Sequence, residues 1–383
     1  MRLYHKPMQH VFAEFFSGIG LVRKALEPLG WRCVFANDFD PKKAEMYRQN
    51  FDGDELVVED IFKLRAADVP AQATLWTASF PCIDLSLAGN RGGLAGQHSG
   101  AYWGFIDLLG KARNLGRGPE LVLVENVVGF ATSADGADMA EALEALSRLG
   151  YRYDVVVVDA KHFTPQSRPR LFIVAELEAT KTPRLRQERP LTFISALRPS
   201  AVEKFIAGHP SLNWALLELP APPGLNKTLP SIIEPLPDDH EYWWSEAAIQ
   251  KLVGAMSSIN RIRLARMLAS PHLEYGTVYR RVRYGETMSE LRCDGLAGCL
   301  RTPRGGSSKQ FLVETRSGRI RARQLTVSEC ARLMGADDMR FDVPANQAWF
   351  GLGDAVCVPA VRWLVRHMCA AEEPARALAA AGG

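Results

Sequence analysis

The sequence predicts an α/β protein built on a doubly wound, mostly parallel sheet with a second, smaller domain. Three observations carry this. From Val11 to about Ala175, short apolar runs alternate with stretches of helical period, the pattern of a parallel sheet covered on both faces. After Glu176 prolines crowd the chain, from Pro183 to Pro237, which excludes long regular elements there. From about Gln324 the helical period returns. The chain has 383 residues, 47% of them hydrophobic. That is more than one core usually holds, since cores stop growing near about 250–300 residues.

The strand candidates are HVFAEFF, RCVFAND, ELVVED, TLWTASF, LVLVENV, YDVVVVDA and RLFIVA. Amphipathic stretches such as LVRKALEPLG and DMAEALEALSRLG follow several of them. A helix is expected from about Ser245 to Leu268, then short strand-like pieces around Gly305-Gly306. LTVSECARLMG reads as a helix, and WFGLGDAV opens a final one through about Cys369. This gives a first domain over 1–191, a second over 192–319, and a segment over 320–383 that is too short to fold alone and returns to the first domain.

The seven cysteines are scattered and form no CxxC pair, so neither a metal site nor a disulfide framework is expected. No run approaches the roughly 18 uninterrupted apolar residues of a membrane span, and MRLYHKPMQH lacks a leader's apolar core. A soluble cytoplasmic protein is expected. Net charge is only +3, but arginines concentrate between Tyr279 and Arg323, where they could neutralise phosphates or form a solvated basic face.

Chemistry concentrates at strand ends. FFSGIG (Phe16, Gly18, Ile19, Gly20) is a glycine turn into a helix, where backbone approaches a ligand closely and unpaired N–H groups are available. Asp38, about 20 residues on, can accept from ribose hydroxyls, with Phe39 beside it to stack on a base. Asp60 and Ile61 end the next strand. Acids at successive strand ends beside a glycine turn point to a nucleoside site. The strand TLWTASF then delivers Pro81-Cys82 to the same edge, and LVLVENV delivers Glu125-Asn126. A thiol can add to a ring carbon of a heteroaromatic base while a neighbouring acid protonates or hydrogen-bonds a ring nitrogen. PQSRPRLFIVA brings Gln166, Arg168 and Arg170; arginines two apart share a face of an extended chain, and could hold a phosphate or a base carbonyl. An ion pair at a sheet edge is the alternative for one of them, Arg170.

In this order FFSGIG, NDFD, EDI, FPCIDLS, ENV, PQSRPR, RQLTVSECARLMG and GLGDAV resemble the DNA cytosine-5 methyltransferases of bacterial type, from about Val11 to Trp363. The resemblance implies S-adenosylmethionine, leaving as S-adenosylhomocysteine, held by Phe16, Gly18, Ile19, Gly20, Asp38, Phe39, Asp60, Ile61, Pro81, Asp354 and Ala355. It implies Cys82 as the nucleophile on C6 of a cytosine flipped from the duplex, at a cost of a few kcal/mol. Glu125 would engage N3 and the exocyclic amine, Arg168 would assist, and Asn126 would support the loop. Contacts to double-stranded DNA fall to Ser86, Arg91, Arg170, Arg301 and Arg304, the last two in GCLRTPRGGSS of a target-recognition domain. A monomer is expected, serving restriction-modification or phage defence with a cognate nuclease or defence components as possible partners. The alternative is the branch of the family that methylates tRNA.

The sequence also departs from the family pattern. Ile83 stands for the usual glutamine, Leu85 for phenylalanine, and Ser99-Gly100 for arginine-glycine. Asp354 stands for asparagine and Glu14 for aspartate. None of these removes the nucleophile or the ring-activating acid.

Overall fold

The computed structural model describes residues 10–81, 100–180, 184–185, 197–283, 285–302 and 309–369. Strands β1 (Val11–Phe15), β2 (Arg32–Asp38), β3 (Leu56–Val58), β4 (Leu75–Ala78), β5 (Leu121–Val127), β6 (Tyr151–Asp159) and β7 (Pro169–Leu177) form one seven-stranded sheet in the order β3-β2-β1-β4-β5-β7-β6. The first five are mutually parallel; β7 runs antiparallel to β5 and β6. The apolar runs are continuous because helices cover both faces: two clusters of buried side chains, one around Phe12, Leu75 and Val174 and one around Phe15, Trp76 and Ile173, sandwich the sheet. Alternate residues of β1, Phe12 and Phe15 among them, serve opposite faces.

Helices α1 (Leu21–Leu26), α2 (Pro41–Arg48), α3 (Ala101–Asn114) and α4 (Ala137–Arg148) connect these strands. Asp40 caps α2, its carboxylate accepting from Lys42 N, and Pro41 sits at the first helical position, where its missing N–H costs nothing. Chain order reverses at β1, whose neighbours are β2 and β4. The crevice beyond the carboxyl ends of these strands is the place where such sheets bind ligands.

The proline-rich interval does not belong to the small sheet. Past α5 (Ser200–Gly208) the chain lies along the edge of β6, where Tyr153 N donates to Asn213 O and Ala215 N to Tyr153 O. Leu197, Trp214, Leu217, Leu229 and Ile232 enter the cores of the large sheet. This segment covers an edge strand that would otherwise offer unpaired backbone to other chains.

The second unit begins beyond it. The single helix expected from Ser245 to Leu268 is two, α6 (Glu246–Gly254) and α7 (Ser258–Ala269), each capped by a serine hydroxyl, Ser245 on Ala248 N and Ser257 on Asn260 N. They pack on an antiparallel sheet of β8 (Glu274–Arg283), β9 (Glu286–Arg292), β10 (Gln310–Arg316) and β11 (Arg319–Gln324), in the order β11-β10-β8-β9. Ile249, Leu252, Leu264, Met267, Val278, Leu291, Phe311 and Val313 form this core. The sheet therefore runs through Gln324, across the boundary expected at residue 319.

Helix α8 (Val327–Met334) opens on a capping box: Thr326 Oγ1 accepts from Glu329 N, and Glu329 returns to Thr326 N. The final helix is also two, α9 (Ala345–Asp354) and α10 (Val358–Cys369). The stretch Ala345–Met368 is apolar enough in composition to cross a membrane, but 61% of it is buried. Its apolar residues Leu352, Val361, Leu364 and Val365 join Leu21, Val22 and Leu26 of α1 in the core.

Candidate active site

The strand ends named by the sequence converge at the β1/β4 crevice. At the end of β1, Phe16 and Gly18 both take positive φ, 56° each. A side chain on Gly18 would meet nothing within 4 Å, so glycine is required here by the backbone and leaves open space for a ligand to approach. Asp38, buried at the end of β2, accepts from Gly18 N at 2.8 Å and Asp40 N at 2.9 Å. Its neighbour Asn37 ties this strand end to the next, donating to the carbonyls of Val57 and Glu59. Phe39, in contrast, is 67% exposed, a free aromatic face beside the acid. Asp60 accepts from Phe62 N, and Ile61 is buried beneath α3.

Asp354 at the end of α9 and Lys43 of α2 form an ion pair at 2.8 Å. Burial would lower the lysine's pKa, but Asp354 and then Asp38 hold it above the ordinary range. The acid that replaces asparagine thus comes with its own counter-charge, which spares the site an uncompensated carboxylate. Lys43 was not among the residues singled out from the sequence. Only the fold brings it to Asp354.

These residues fit S-adenosylmethionine. The open, positive-φ turn at Gly18, the buried carboxylate of Asp38, the exposed ring of Phe39 and the acid at Asp60 are a set of groups that an adenosine could use. Ile19 is buried, Gly20 opens α1, and Pro81 and Ala355 lie half-buried at the ends of β4 and α9.

The end of β4 is held rigidly. Phe80 is buried and packs on Tyr102 and Phe130, with ring centroids 5.1 and 5.8 Å away. Asn126 Nδ2 donates to Phe80 O at 3.2 Å, and its Oδ1 accepts from Val127 N. Pro81 follows. Cys82, Ser86, Arg91 and Arg304 lie outside the described residues.

On the adjacent strand Glu125 is almost fully buried, and its Oε1 lies 3.0 Å from Nε of Arg170. The register explains the meeting: Glu125 faces Phe172 across the β5/β7 ladder, and Arg170 is two residues from Phe172, hence on the same face. Burial raises the pKa of Glu125, while Arg170 and then Arg168 oppose the rise.

Arg168 is placed differently from expectation. It is 1% exposed. Nη1 donates to Leu300 O and Cys299 Sγ, and Nη2 to the carbonyls of Gly353 and Ala355. The backbone between α9 and α10 breaks where Arg168 takes these carbonyls. Gly353 is part of the same joint, since a side chain there would lie 2.4 Å from the Arg301 carbonyl carbon. Gln166 completes it, accepting from Leu300 N and donating to Leu333 O. The guanidinium assigned to the base is therefore spent on joining three chain segments, and the one beside Glu125 is Arg170, which had been given to DNA.

The arginine-rich stretch is also less free than its composition suggests. Arg281 pairs with Glu290, Arg292 with Asp294, Arg321 with Glu314, and Arg323, fully buried, with Glu329. Arg280 lies over the Phe311 ring at 4.8 Å. Arg301, Arg316 and Arg319 are exposed.

The family profile for C-5 cytosine-specific DNA methylase matches residues 11–370. The chain belongs to that family. Among its methylase relatives, the type II methyltransferase M.NlaX of Neisseria lactamica is 27% identical over 94% of this chain and 96% of its own length. M.BsuFI of Bacillus subtilis is 34% identical over 171 residues, 44% of this chain. This match spans only 40% of the length of M.BsuFI. In fold, the chain is similar to Spodoptera frugiperda DNMT2 (TM-score 0.62, 16% identity, 94% of this chain and 99% of that one) and to S. pombe Dnmt2 (TM-score 0.58, 19% identity, 94% and 98%). The seven-stranded sheet with its antiparallel β7 is thus the methylase catalytic fold.

Proposed function

We propose that this methylase family member transfers a methyl group from S-adenosylmethionine to C5 of a cytosine flipped out of duplex DNA, within a restriction-modification or phage-defence setting. The observation that supports this most is the buried Glu125–Arg170 pair one strand away from the rigid end of β4 that leads into Cys82.

Bound against Gly18, Asp38, Phe39 and Asp60, S-adenosylmethionine supplies an electrophilic methyl group. The chain's own residues do the rest. The Cys82 thiolate adds to C6 of the ring, and the electron pair displaced from the C5–C6 double bond makes C5 nucleophilic. The Glu125 carboxyl, whose pKa burial raises, donates to N3 and takes up the charge that develops there. Arg170 orients the carboxyl through its Nε and presents a cation at the base edge. C5 takes the methyl group; loss of the C5 proton to solvent water then re-forms the C5–C6 double bond and expels the Cys82 thiolate, while N3 returns its proton to Glu125. Asn126 holds β4 and β5 ends together, so that nucleophile and acid keep one spacing.

Duplex DNA is the proposed substrate over tRNA because a separate α/β unit, with Arg301 exposed at its junction, accompanies the catalytic sheet. Competition for labelled methyl transfer between duplex DNA and tRNA tests this. DNA should take the label, and label confined to tRNA would reverse the assignment.

A further inference from the structure

The thiol of Cys299 occupies a position that no step above uses. It lies between β9 and β10 of the small sheet, half-buried, with Arg168 Nη1 at 3.3 Å and Arg170 Nη2 and Nη1 at 3.8 and 3.9 Å. Arg170 therefore has two edges in use: Nε on Glu125, and the terminal nitrogens on sulfur, with Nη1 also donating to Pro169 O at 3.0 Å. We infer that Cys299 is a positioning residue for methyl transfer, its sulfur holding the outer edge of Arg170 so that the inner edge stays on Glu125. This rests on the function proposed above.

The charges around the sulfur come from every side. Arg168 faces it from the turn before β7, Arg170 from β7 and Arg301 from its own segment; Glu125 of β5 stands behind Arg170, and Cys357 behind Arg168. Burial alone would raise the pKa of the thiol, but the three guanidinium groups outweigh it and leave the pKa lowered to about 7. Both protonation states have a partner: the thiol can donate to Leu300 O at 3.3 Å, and the thiolate accepts from the arginines. In the thiolate state the sulfur shares the charge of Arg170 and so weakens the pull by which Arg170 lowers the pKa of the buried Glu125.

The test has two arms on the full-length protein. Site-resolved alkylation of Cys299 by iodoacetamide, followed by mass spectrometry, reads its ionisation without any substrate. The half-maximal rate should fall near neutral pH, and move up by about one unit in Arg170→Gln; an ordinary alkaline midpoint, unmoved by that substitution, overturns the inference whatever the enzyme's substrate proves to be. In the second arm, Cys299→Ser should lower kcat for methyl transfer about tenfold with KM for the cofactor little changed, and remove the neutral ionisation from the pH profile of kcat. Cys299→Asp, a fixed anion, should restore most of the rate. A serine variant with the wild-type profile, or a loss that aspartate does not recover, leaves Cys299 a packing residue only.

Discussion

Nε of Arg170 lies 3.0 Å from Oε1 of Glu125, joining two antiparallel neighbours at the mouth of the candidate site. The pair is nearly dry, so its geometry matters more than its Coulomb energy: a buried carboxyl left without its partner keeps the full cost of desolvation. Arg170→Ala should therefore lower kcat for methyl transfer by about 100-fold, with cofactor affinity near normal. Arg170→Lys should recover little, because a single ammonium cannot serve Glu125 and Cys299 at once. Steady-state kinetics beside cofactor titration separates the two effects.

Arg168 should behave as a structural residue. Removing a buried cation that joins β7, the Cys299–Leu300 segment and the Gly353–Ala355 backbone leaves buried carbonyls unpaired, a loss of about 3 kcal/mol or more. Arg168→Met should show a clearly lower Tm by calorimetry. A variant that melts like the wild type yet loses activity would return Arg168 to a direct role on the base.

Phe39 and Asp38 should separate binding from stability. The Phe39 ring is mostly exposed, so Phe39→Ala costs the fold little, while loss of a stacking face should weaken S-adenosylmethionine binding by about tenfold. Asp38→Ala should weaken it further and also lower Tm, since Gly18 N and Asp40 N lose their acceptor. Isothermal titration and melting curves on the same preparations check both. An unchanged dissociation constant for Asp38→Ala would remove it from the cofactor site.

Glu14 should make stability depend on pH. Its carboxyl is fully buried in β1, and neither oxygen reaches a partner at good geometry, although the N–H groups of Val22 and Arg23 face it. Burial is the main cause of a pKa raised to about 8, from an ordinary 4.5. Across that window the folded state holds more protons than the unfolded chain, so stability falls as pH rises from about 4.5 to 8. Glu14→Gln should flatten this slope, leaving Tm higher than wild type by a few degrees at pH 8 and little changed near pH 5. Parallel slopes for the two proteins would show that Glu14 is not the group involved.

The fold was largely legible because the strands are long apolar runs ending in polar residues. β2 and β5 begin and end where RCVFAND and LVLVENV do. The crevice was legible for the same reason: Gly18, Asp38, Phe39 and Asp60 lie at or just past strand ends that the sheet order sets side by side. What escaped depends on pairing between distant segments. Periodicity runs straight through Ala255–Ser257 and Ala355–Cys357, and only the serine cap and the Arg168 contacts show why the helices break there. Arg168 and Arg170 look equivalent in PQSRPR; the turn before β7 sends one into the joint and the ladder sends the other to Glu125. Several arginines of the small sheet hide their partners, which lie across strands for Arg281 and Arg321 and on α8 for Arg323.

Cys82 with Glu125 should carry cytosine-5 methylation. Bisulfite sequencing of DNA from a host lacking its own cytosine methylation, expressing this protein or its Cys82→Ala or Glu125→Gln variant, tests it most directly. Protected cytosines in one sequence context, present with the wild type and lost in both variants, are the expected result. Protection that persists in Cys82→Ala, or none with a folded wild-type protein that binds S-adenosylmethionine, would contradict it.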